Sequence, residues 1–333
     1  MKIPFSPPDI GQAEIDAVVE TLKSSWITTG PKTEQLSQKV AQCCHVPYAA
    51  CMNSATACHE MSLRLLGIGS GDEVIVPAYT YTASASVIEH VGAVPVIVDV
   101  EKGTFHISYE EVLKAITPKT KAIILNSPSN PTGAVMEKED IKAIADLSMD
   151  HDFLIISDEI YEKIIYDKKH YSPAKYSDNV ITLNGFSKTY AMTGLRIGYL
   201  TANEEYTEEL LKIHQYNIAC ASTVSQRGAY EALTGPQDEV TKMVNEFKNR
   251  RDLIVKRLNE MGYETVNAEG AFYVFPKIED KEFVQKAAEA GVITVPGAAF
   301  GSNGENHVRM SYANSYENIE KAMNILEERV VNG

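Results

Sequence analysis

The sequence predicts an α/β protein, with a mostly parallel seven-stranded sheet, helices on both of its faces and a smaller α+β unit. Three observations support this fold class. Short runs rich in Ile and Val alternate with amphipathic stretches as far as about Thr201. Several of these runs are apolar at consecutive positions, which is typical of strands covered on both faces. After Thr201, longer helical patterns alternate with a few short strands, which indicates a second unit.

The predicted strands of the sheet are short, and most are bounded by Asn, Gly, Pro or Asp. In chain order they are Tyr48–Met52, Glu73–Val76, Val94–Val98, Ala122–Leu125, Phe153–Ser157, Val180–Leu183 and Ile197–Thr201. Helical patterns lie between them at Ala55–Leu66, Ala83–Val91, Glu110–Ile116 and Lys138–Met149. Because parallel neighbours need a crossover connection, helices between successive strands favour a parallel sheet.

The second unit begins after the breaker Gly235-Pro236. Its predicted elements are one long amphipathic helix, three short strands and two further helices: Gln237–Met261, Ala271–Phe275, Val292–Val295, Val308–Tyr312, Lys281–Glu289 and Tyr316–Val330. Two more helices are predicted before it, at Glu204–Tyr216 and Thr223–Leu233. We expect an N-terminal helix, Gly11–Ser24, to pack with this unit. The predicted domains are therefore a large one at 46–235 and a small one formed by 1–45 and 236–333.

The composition is that of an ordinary globular protein, with 44% hydrophobic and 23% charged residues. A net charge of −14 repels phosphodiester backbones and anionic lipids, so we expect neither a nucleic-acid nor a membrane partner. No apolar run approaches the roughly 20 residues of a spanning helix. The segment Met1–Ile10 lacks the apolar core of a signal peptide.

The cysteines indicate a reducing compartment. There are five, an odd number, and none forms a C-x-x-C pair: Cys43, Cys44, Cys51, Cys58 and Cys220. We therefore expect free thiols and a cytoplasmic location. Their spacing and that of the nearby histidines do not fit a zinc site, so no metal is expected.

The segment NGFSKTYAMTGLRIGY carries the strongest chemical signal. A predicted strand ends at Leu183, a turn of small residues presents Ser187 and Lys188, and Arg196 follows eight residues after the lysine. A lysine that forms a Schiff base needs a rigid element in a closed pocket, where loss of its proton is tolerated. A single lysine is usually exposed, so the neighbouring segments decide between the two interpretations.

Three further segments end predicted strands at the edge where parallel sheets bind ligands. FLIISDEIY delivers Asp158 and Tyr161, and NSPSNPTG delivers Asn130. MNSAT opens a helix whose free N–H groups could hold a phosphate, although such a serine is often only a cap. Each segment alone is a weak signal, and together they are specific.

These segments resemble the pyridoxal-5′-phosphate (PLP) aminotransferases of fold type I. From about Ile107 to Gly333 the chain is similar to class I, the aspartate aminotransferase-like group. The matching motifs are N-x-P-x-N-P-T-G, S-D-E-I-Y, F-S-K-x-x-x-M-T-G-x-R-x-G, G-A-F-Y, V-P-G-x-x-F-G and V-R-M-S-Y-A. The first 106 residues instead resemble the sugar-nucleotide aminotransferases, at Trp26–Gly30, Ser54–Thr56 and Val74–Val100. This combination fits either a natural mosaic or a built chimera.

The resemblance implies a role in cofactor binding for each matching residue. Lys188 resembles the lysine that binds the cofactor as a Schiff base and later moves a proton. Asp158 resembles the partner of the ring nitrogen, while Asn130 and Tyr161 resemble the two donors to the phenolic oxygen. The phosphate would be held by five residues: Ser54, Ala55, Thr56, Ser187 and Arg196.

Two further positions follow from the resemblance. Tyr79 lies where an aromatic residue stacks on the cofactor ring, although a tyrosine at a strand end can equally be part of the core. Arg309, together with Asn130, resembles the group that binds the α-carboxylate of the substrate. By spacing alone, Arg309 could instead be a surface residue on an edge strand.

The implied activity is amino-group transfer between an amino acid and a 2-oxo acid, in a homodimer whose sites a second subunit completes. A sugar-nucleotide aminotransferase and a PLP-dependent C–S lyase are the alternatives. Aspartate-specific members often use a second arginine, but here that stretch reads His214–Asn217, and Arg227 is the nearest arginine. We therefore predict weak discrimination between aspartate and neutral or aromatic donors.

Overall fold

The computed structural model describes residues 11–101 and 103–332. The segment Met1–Ile10, for which we expected no signal peptide, lies outside them. The five cysteines are free, as the sequence predicts. Of the helices in the described residues, none combines the length and the apolar composition that crossing a bilayer requires.

A seven-stranded sheet forms the centre of the large unit. Its strands are Ala49–Met52 (β1), Glu73–Pro77 (β2), Val94–Val98 (β3), Thr120–Asn126 (β4), Leu154–Asp158 (β5), Val180–Gly185 (β6) and Gly198–Thr201 (β7). Their order is β1-β7-β6-β5-β4-β2-β3. Strands β2 to β6 run parallel, whereas β7 is antiparallel to both β1 and β6. The predicted mostly parallel sheet is confirmed.

The consecutive apolar residues of these strands are buried on both faces of the sheet. Val74, Val76 and Ile124 belong to one core cluster, which also contains side chains of the helices on that face. Ile75 and Ile123 belong to a second cluster on the opposite face. Because side chains alternate between faces along a strand, an uninterrupted apolar run requires cover on both sides.

Helices supply that cover. Those of the large unit are Gln12–Lys23 (α1), Pro31–Cys44 (α2), Ala55–Leu65 (α3), Thr82–His90 (α4), Tyr109–Ala115 (α5), Lys138–Asp150 (α6), Phe186–Thr189 (α7), Glu204–Asn217 (α8) and Thr223–Thr234 (α9). Helices α3, α4 and α8 contribute to the first core cluster, and α5 and α6 to the second.

The smaller unit is an α+β layer. It contains Asp238–Glu260 (α10), Tyr273–Val274 (β8), Phe283–Ala290 (α11), Val295–Pro296 (β9), Val308–Ser311 (β10) and Tyr316–Leu326 (α12), which continues into a π-helical turn at Glu327–Val331. The strands form an antiparallel sheet in the order β8-β10-β9 and are shorter than predicted. A core around Phe247, Leu258 and Tyr312 joins this sheet to the helices.

The expectation that Gly11–Ser24 packs with the smaller unit is wrong. Helix α1 packs mainly on α9, where Arg227 forms an ion pair with Glu20. Helix α2, which the sequence analysis did not mark, packs on α9 and β1. For α2 the physical reason is an apolar surface on the β1–β7 side of the sheet, where Leu36 of α2 and Ala229 of α9 are buried together. The predicted boundary near residue 235 stays a prediction.

Candidate active site

The carboxyl ends of the central parallel strands meet at one edge of the sheet. Asn126 at the end of β4 is in register with Asp158 at the end of β5, and Asp158 is in register with Leu183 in β6. Strand β6 runs directly into the short helix α7, which carries Lys188. The predicted chemistry-bearing residues therefore share this edge because parallel strands end on the same side.

Lys188 lies in a largely apolar and aromatic setting. Its Nζ is 5.8 Å from the ring centroid of Tyr161 and 5.5 Å from that of Phe272. Burial lowers the pKa of Lys188, and the positive charges of Arg309 and Arg196 lower it further, against the opposing effect of Asp158. Among the described residues, no carboxylate forms an ion pair with its amine. The environment thus disfavours the charged amine and makes the neutral, reactive form easier to reach than for a free lysine.

Asp158 is held by two donors. Its Oδ1 accepts a hydrogen bond from the backbone N–H of Ile160 at 3.1 Å, and its Oδ2 lies 3.0 Å from Nε2 of His59. His59 belongs to α3 and is 1% exposed. The sequence analysis did not assign His59 to the site, because nothing in its local sequence relates it to a residue so far along the chain.

Arg309 on β10 lies near enough to Lys188 for its charge to lower the pKa of that lysine. Its Nη1 donates to Oδ1 of Asn130 at 3.0 Å, and its guanidinium packs over Tyr273 at 4.8 Å and Phe300 at 5.1 Å. Its Nε is buried and has no hydrogen-bond partner in the part of the chain that the structure describes. A guanidinium that is fixed in this way and keeps free N–H groups suits a carboxylate, which it can bind through two parallel hydrogen bonds.

Two tyrosines link the surroundings of Lys188 to those of Arg309, since Tyr161 lies near Lys188 and Tyr273 packs on Arg309. The hydroxyl groups of Tyr161 and Tyr273 lie 3.1 Å apart. Burial raises the pKa of both phenols, so both keep their protons and can donate hydrogen bonds. Tyr273 was not among the predicted site residues, although the motif G-A-F-Y contains it and could have revealed it.

The start of α3 offers backbone donors. Ser54 caps the helix by accepting the N–H of Ala57 at 3.0 Å, and the N–H groups at Ala55 and Thr56 have no acceptor within the helix. Gly198 on β7 allows this close approach, since a Cβ there would lie 2.5 Å from the backbone of Ser54 and Ala55. An anion is stabilised at such a helix start by the free N–H groups and the helix dipole.

The predicted contribution of Ser187 and Arg196 to a phosphate site stays a prediction. Ser187 lies beside Lys188 on α7. Arg196 is exposed, its Nη1 donates to the backbone oxygen of Thr193 at 2.9 Å, and its charge acts on Lys188. The start of α3 therefore supplies backbone donors, while the Asp158 carboxylate lies at the end of β5.

Tyr79 lies in an aromatic cluster next to this site. Its ring meets those of Phe105 and Phe275 edge-on, each at 5.5 Å, and its hydroxyl donates to the backbone oxygen of Asn303 at 2.8 Å. This is the core position that the sequence analysis kept open as an alternative. Its predicted stacking on a cofactor ring stays a prediction.

The described residues also contain one cluster with potential metal ligands, formed by Glu159, Glu162 and His170. Nε2 of His170 lies 2.8 Å from Oε2 of Glu159, so the two already satisfy each other. The expectation that the protein needs no metal stays a prediction.

Comparison with known proteins places the whole chain in one group. The sequence model of "Aminotransferase class I and II" matches residues 4–326, a range that includes the part resembling sugar-nucleotide aminotransferases. The "Probable aspartate aminotransferase" of Methanocaldococcus jannaschii is 48% identical over 271 residues, which cover 78% of this chain and 72% of that protein. The "Aromatic-amino-acid aminotransferase 2" of Thermococcus litoralis is 44% identical over 270 residues, covering 77% and 69%.

Solved structures agree with these relatives. The aromatic aminotransferase from Pyrococcus horikoshii superposes with a TM-score of 0.90 at 36% identity, covering 99% of this chain and 96% of that one. A double mutant of the Thermus thermophilus aspartate aminotransferase gives a TM-score of 0.91 at 30% identity, covering 99% and 91%. The similarity in structure thus extends over almost the entire chain.

Proposed function

This chain belongs to the class I and II aminotransferases, and from that premise we propose an aspartate aminotransferase-like enzyme that accepts a broad range of amino-acid side chains. The observation that carries the proposal is the hydrogen-bonded pair of Arg309 and Asn130, with Arg309 near enough to Lys188 for its charge to act on that amine. It provides a fixed site for the carboxylate that all α-amino acids share, and it makes no demand on the side chain.

The residues present fit PLP, the cofactor of this family. When bound, PLP supplies a carbonyl carbon that bonds covalently to amines and a protonated ring that takes up electrons from a broken Cα–H bond. The unpaired amine of Lys188 and the open N–H groups at the start of α3 match its carbonyl and its phosphate. We propose that Asp158 pairs with its ring nitrogen, that Asn130 and Tyr161 bind its phenolic oxygen, and that the phosphate contacts include Ser54, Ala55, Thr56, Ser187 and Arg196.

The protein's own groups then have distinct tasks. Arg309 and Asn130 fix the substrate through its α-carboxylate. Lys188 would hold the cofactor covalently through its Nζ, and as a free amine the same Nζ would be a base able to take the proton from Cα of the substrate. The lowered pKa of Lys188 suits both tasks, because a neutral amine attacks carbonyl carbons and accepts protons.

Broad specificity is supported by the state of Arg227. Its side chain forms ion pairs with Glu20 and Glu231, so it is already neutralised where α1 and α9 meet. The residues that pack on Arg309 are aromatic rather than basic. The named activities of the relatives, which include both aspartate and aromatic amino acids, support the same proposal.

We also propose that the enzyme is a cytoplasmic homodimer. Ile15, Val19 and Leu22 form an exposed apolar stripe on α1, and the exposed Trp26 and Ile27 follow it. Such a continuous apolar patch is typical of a surface that a partner covers, and we assign it to a second copy of this chain. Sedimentation equilibrium tests this, and a species of one chain's mass at micromolar concentration would contradict it.

The side-chain proposal is tested by kcat/KM for aspartate, alanine and phenylalanine with 2-oxoglutarate. A buried charge-assisted clamp would favour aspartate by at least about tenfold, so we expect a smaller ratio. A preference of about a hundredfold, the top of that range, would contradict the proposal. The variant Arg227→Gln is the matched control, and it should leave the ratio unchanged.

The same assay separates the alternatives. Pyruvate release from cystathionine without an oxo acid would indicate a C–S lyase. Transfer to a keto-sugar nucleotide but not to 2-oxo acids would indicate a sugar-nucleotide aminotransferase.

A further inference from the structure

A buried histidine reaches the carboxylate that we assign to the ring nitrogen. His59 is 1% exposed, and its Nε2 lies 3.0 Å from Oδ2 of Asp158. It projects from α3, the helix whose first residues form the candidate phosphate site. The tasks assigned above do not use this contact.

The second ring nitrogen of His59 indicates which nitrogen faces the carboxylate as a donor. Nδ1 is buried and has no hydrogen-bond partner among the described residues. A proton on Nδ1 would be buried without an acceptor, which is unfavourable, whereas a proton on Nε2 has the Asp158 carboxylate as its acceptor. The geometry thus favours Nε2–H as the donor to Asp158.

We propose that His59 is a positioning residue, which holds the Asp158 carboxylate in the orientation that binds the cofactor's ring nitrogen. This inference rests on the proposed function of Asp158. The backbone N–H of Ile160 fixes Oδ1, and His59 fixes Oδ2, so the carboxylate cannot rotate without losing a buried hydrogen bond. Each carboxylate oxygen has a second lone pair and can still accept a hydrogen bond from a ligand.

The consequence is that one rigid helix sets both ends of the cofactor site. Ser54 and the N–H groups after it lie at the start of α3, and His59 lies further along the same helix. Because backbone hydrogen bonds make a helix rigid, the distance between the phosphate end and the Asp158 end is fixed by α3. Loss of His59 should therefore weaken cofactor binding even when every direct cofactor contact is retained.

The test measures PLP binding to the apoprotein by fluorescence titration, with the variants His59→Leu and His59→Gln. We expect His59→Leu to raise the dissociation constant of PLP by about tenfold, because it removes a hydrogen bond to a charged group. His59→Gln, which keeps a donor, should recover part of this loss. In His59→Leu, kcat should fall while KM for the amino donor stays the same. Ser62→Ala is the control, a buried polar residue of α3 whose hydroxyl bonds only to the backbone of Cys58.

Combining His59→Leu with Asp158→Ala separates the proposed role of His59 from that of Asp158. In Asp158→Ala, the change His59→Leu should have no further effect on PLP binding, because His59 acts through Asp158. If His59→Leu binds PLP like the parent while Asp158→Ala does not, the role of His59 is overturned and that of Asp158 stands. If Asp158→Ala itself binds PLP and turns over normally, the proposed site is wrong.

A spectroscopic readout requires no variant. In the ¹⁵N spectrum of the apoprotein, we expect Nε2 of His59 to carry a proton. An Nε2 without a proton would overturn the proposal, even if His59→Leu does not fold.

Discussion

Two regions of the molecule contain buried or partly buried charged side chains, and they differ in how completely those charges are paired. One is the seam, where residues 268–270 enter the smaller unit against the large one. There Glu269 accepts hydrogen bonds from Lys168 at 2.6 Å, from the backbone of Val135 at 3.0 Å and from His106 at 3.4 Å. Burial alone would raise the pKa of Glu269, but these hydrogen bonds outweigh burial and lower it to about 2.

Arg251 shows the same pattern beside the seam. It is 1% exposed, and its guanidinium donates to Asp167 at 2.7 Å, to Asp252 at 2.6 Å and to the backbone oxygen of Ala268 at 2.6 Å. Every arm of this buried cation has an acceptor. The seam is therefore electrostatically complete without any ligand.

The active site is the opposite case. Lys188 has no ion-pair partner among the described residues, and burial together with two arginine charges lowers its pKa. Arg309 keeps a buried Nε that has no partner among the described residues. The seam charges are thus paired within the fold, whereas at the active site two cations keep groups that we assign to a ligand.

The largest expected effect is a loss of activity on removal of Lys188 from the active site. Lys188→Ala should lose at least about a thousandfold in transamination rate, because it removes both the amine nucleophile and the base. The yellow absorption band of lysine-bound PLP should also disappear. Steady-state kinetics and absorption spectra measure both. Lys212→Ala, at an exposed lysine of α8, is the control. Normal turnover by Lys188→Ala would show that Lys188 does not carry the chemistry.

A smaller loss of activity is expected when the planar guanidinium of Arg309 is replaced by an amine. Arg309→Lys keeps the positive charge but loses the planar fork, so kcat/KM for every amino donor should fall by about tenfold to a hundredfold. Arg64→Lys, at an arginine paired with Glu60 on the surface of α3, should have no effect. Equal kcat/KM in Arg309→Lys and the parent would exclude a two-point contact.

The seam should respond in stability rather than in chemistry. Glu269→Gln should lower the free energy of unfolding at pH 7 by about 1–3 kcal/mol, because it weakens hydrogen bonds to a charged acceptor. A carboxyl with a lowered folded-state pKa contributes stability above its ordinary pKa of 4.5 and loses it as the pH falls towards about 2. Urea unfolding at several pH values should show parent and variant converging over that range. A constant difference would mean that the charge of Glu269 is not involved.

The smallest effect has the opposite sign. Lys188→Met in the apoprotein should raise the free energy of unfolding at pH 7 by about 1 kcal/mol, because it removes the cost of placing an unpaired amine in a partly buried position that disfavours its charged form. The pKa of Lys188 is lower in the folded than in the unfolded protein. As the pH rises from the folded-state pKa towards 10.5, the free energy of unfolding of the parent should therefore increase towards that of Lys188→Met. Destabilisation by Lys188→Met would show that the lysine is better compensated than its contacts indicate.

The sequence predicted most of the sheet, because burial on both faces leaves a simple signature. Every strand of the large sheet coincides with a predicted apolar run. Helix α2 was missed because its buried residues, Leu36, Val40 and Ala41, are few and are separated by polar residues. The packing of α1 could not be predicted either, since its partner α9 lies far along the chain.

The residues of the candidate site likewise divide into those that a local motif revealed and those that only the tertiary structure reveals. Lys188 and Asp158 were found because each follows a strand within a local motif. His59, by contrast, contributes through a contact that only the tertiary structure creates. Tyr79 shows the limit of motifs, because a tyrosine two residues after Pro77 can face a ligand or a core, and the structure places it among aromatic rings.

The antiparallel position of β7 has a consequence for synthesis of the chain. Strand β1 leads into the start of α3 and lies at the edge of the sheet, where its neighbour is β7. Strand β1 therefore joins the sheet only when Ala49 pairs with Thr201. On the ribosome, β1 and the segment after it therefore wait until most of the large unit has emerged. Because such long-range pairing forms slowly, the cofactor site is completed late and the cofactor cannot guide the early steps of folding.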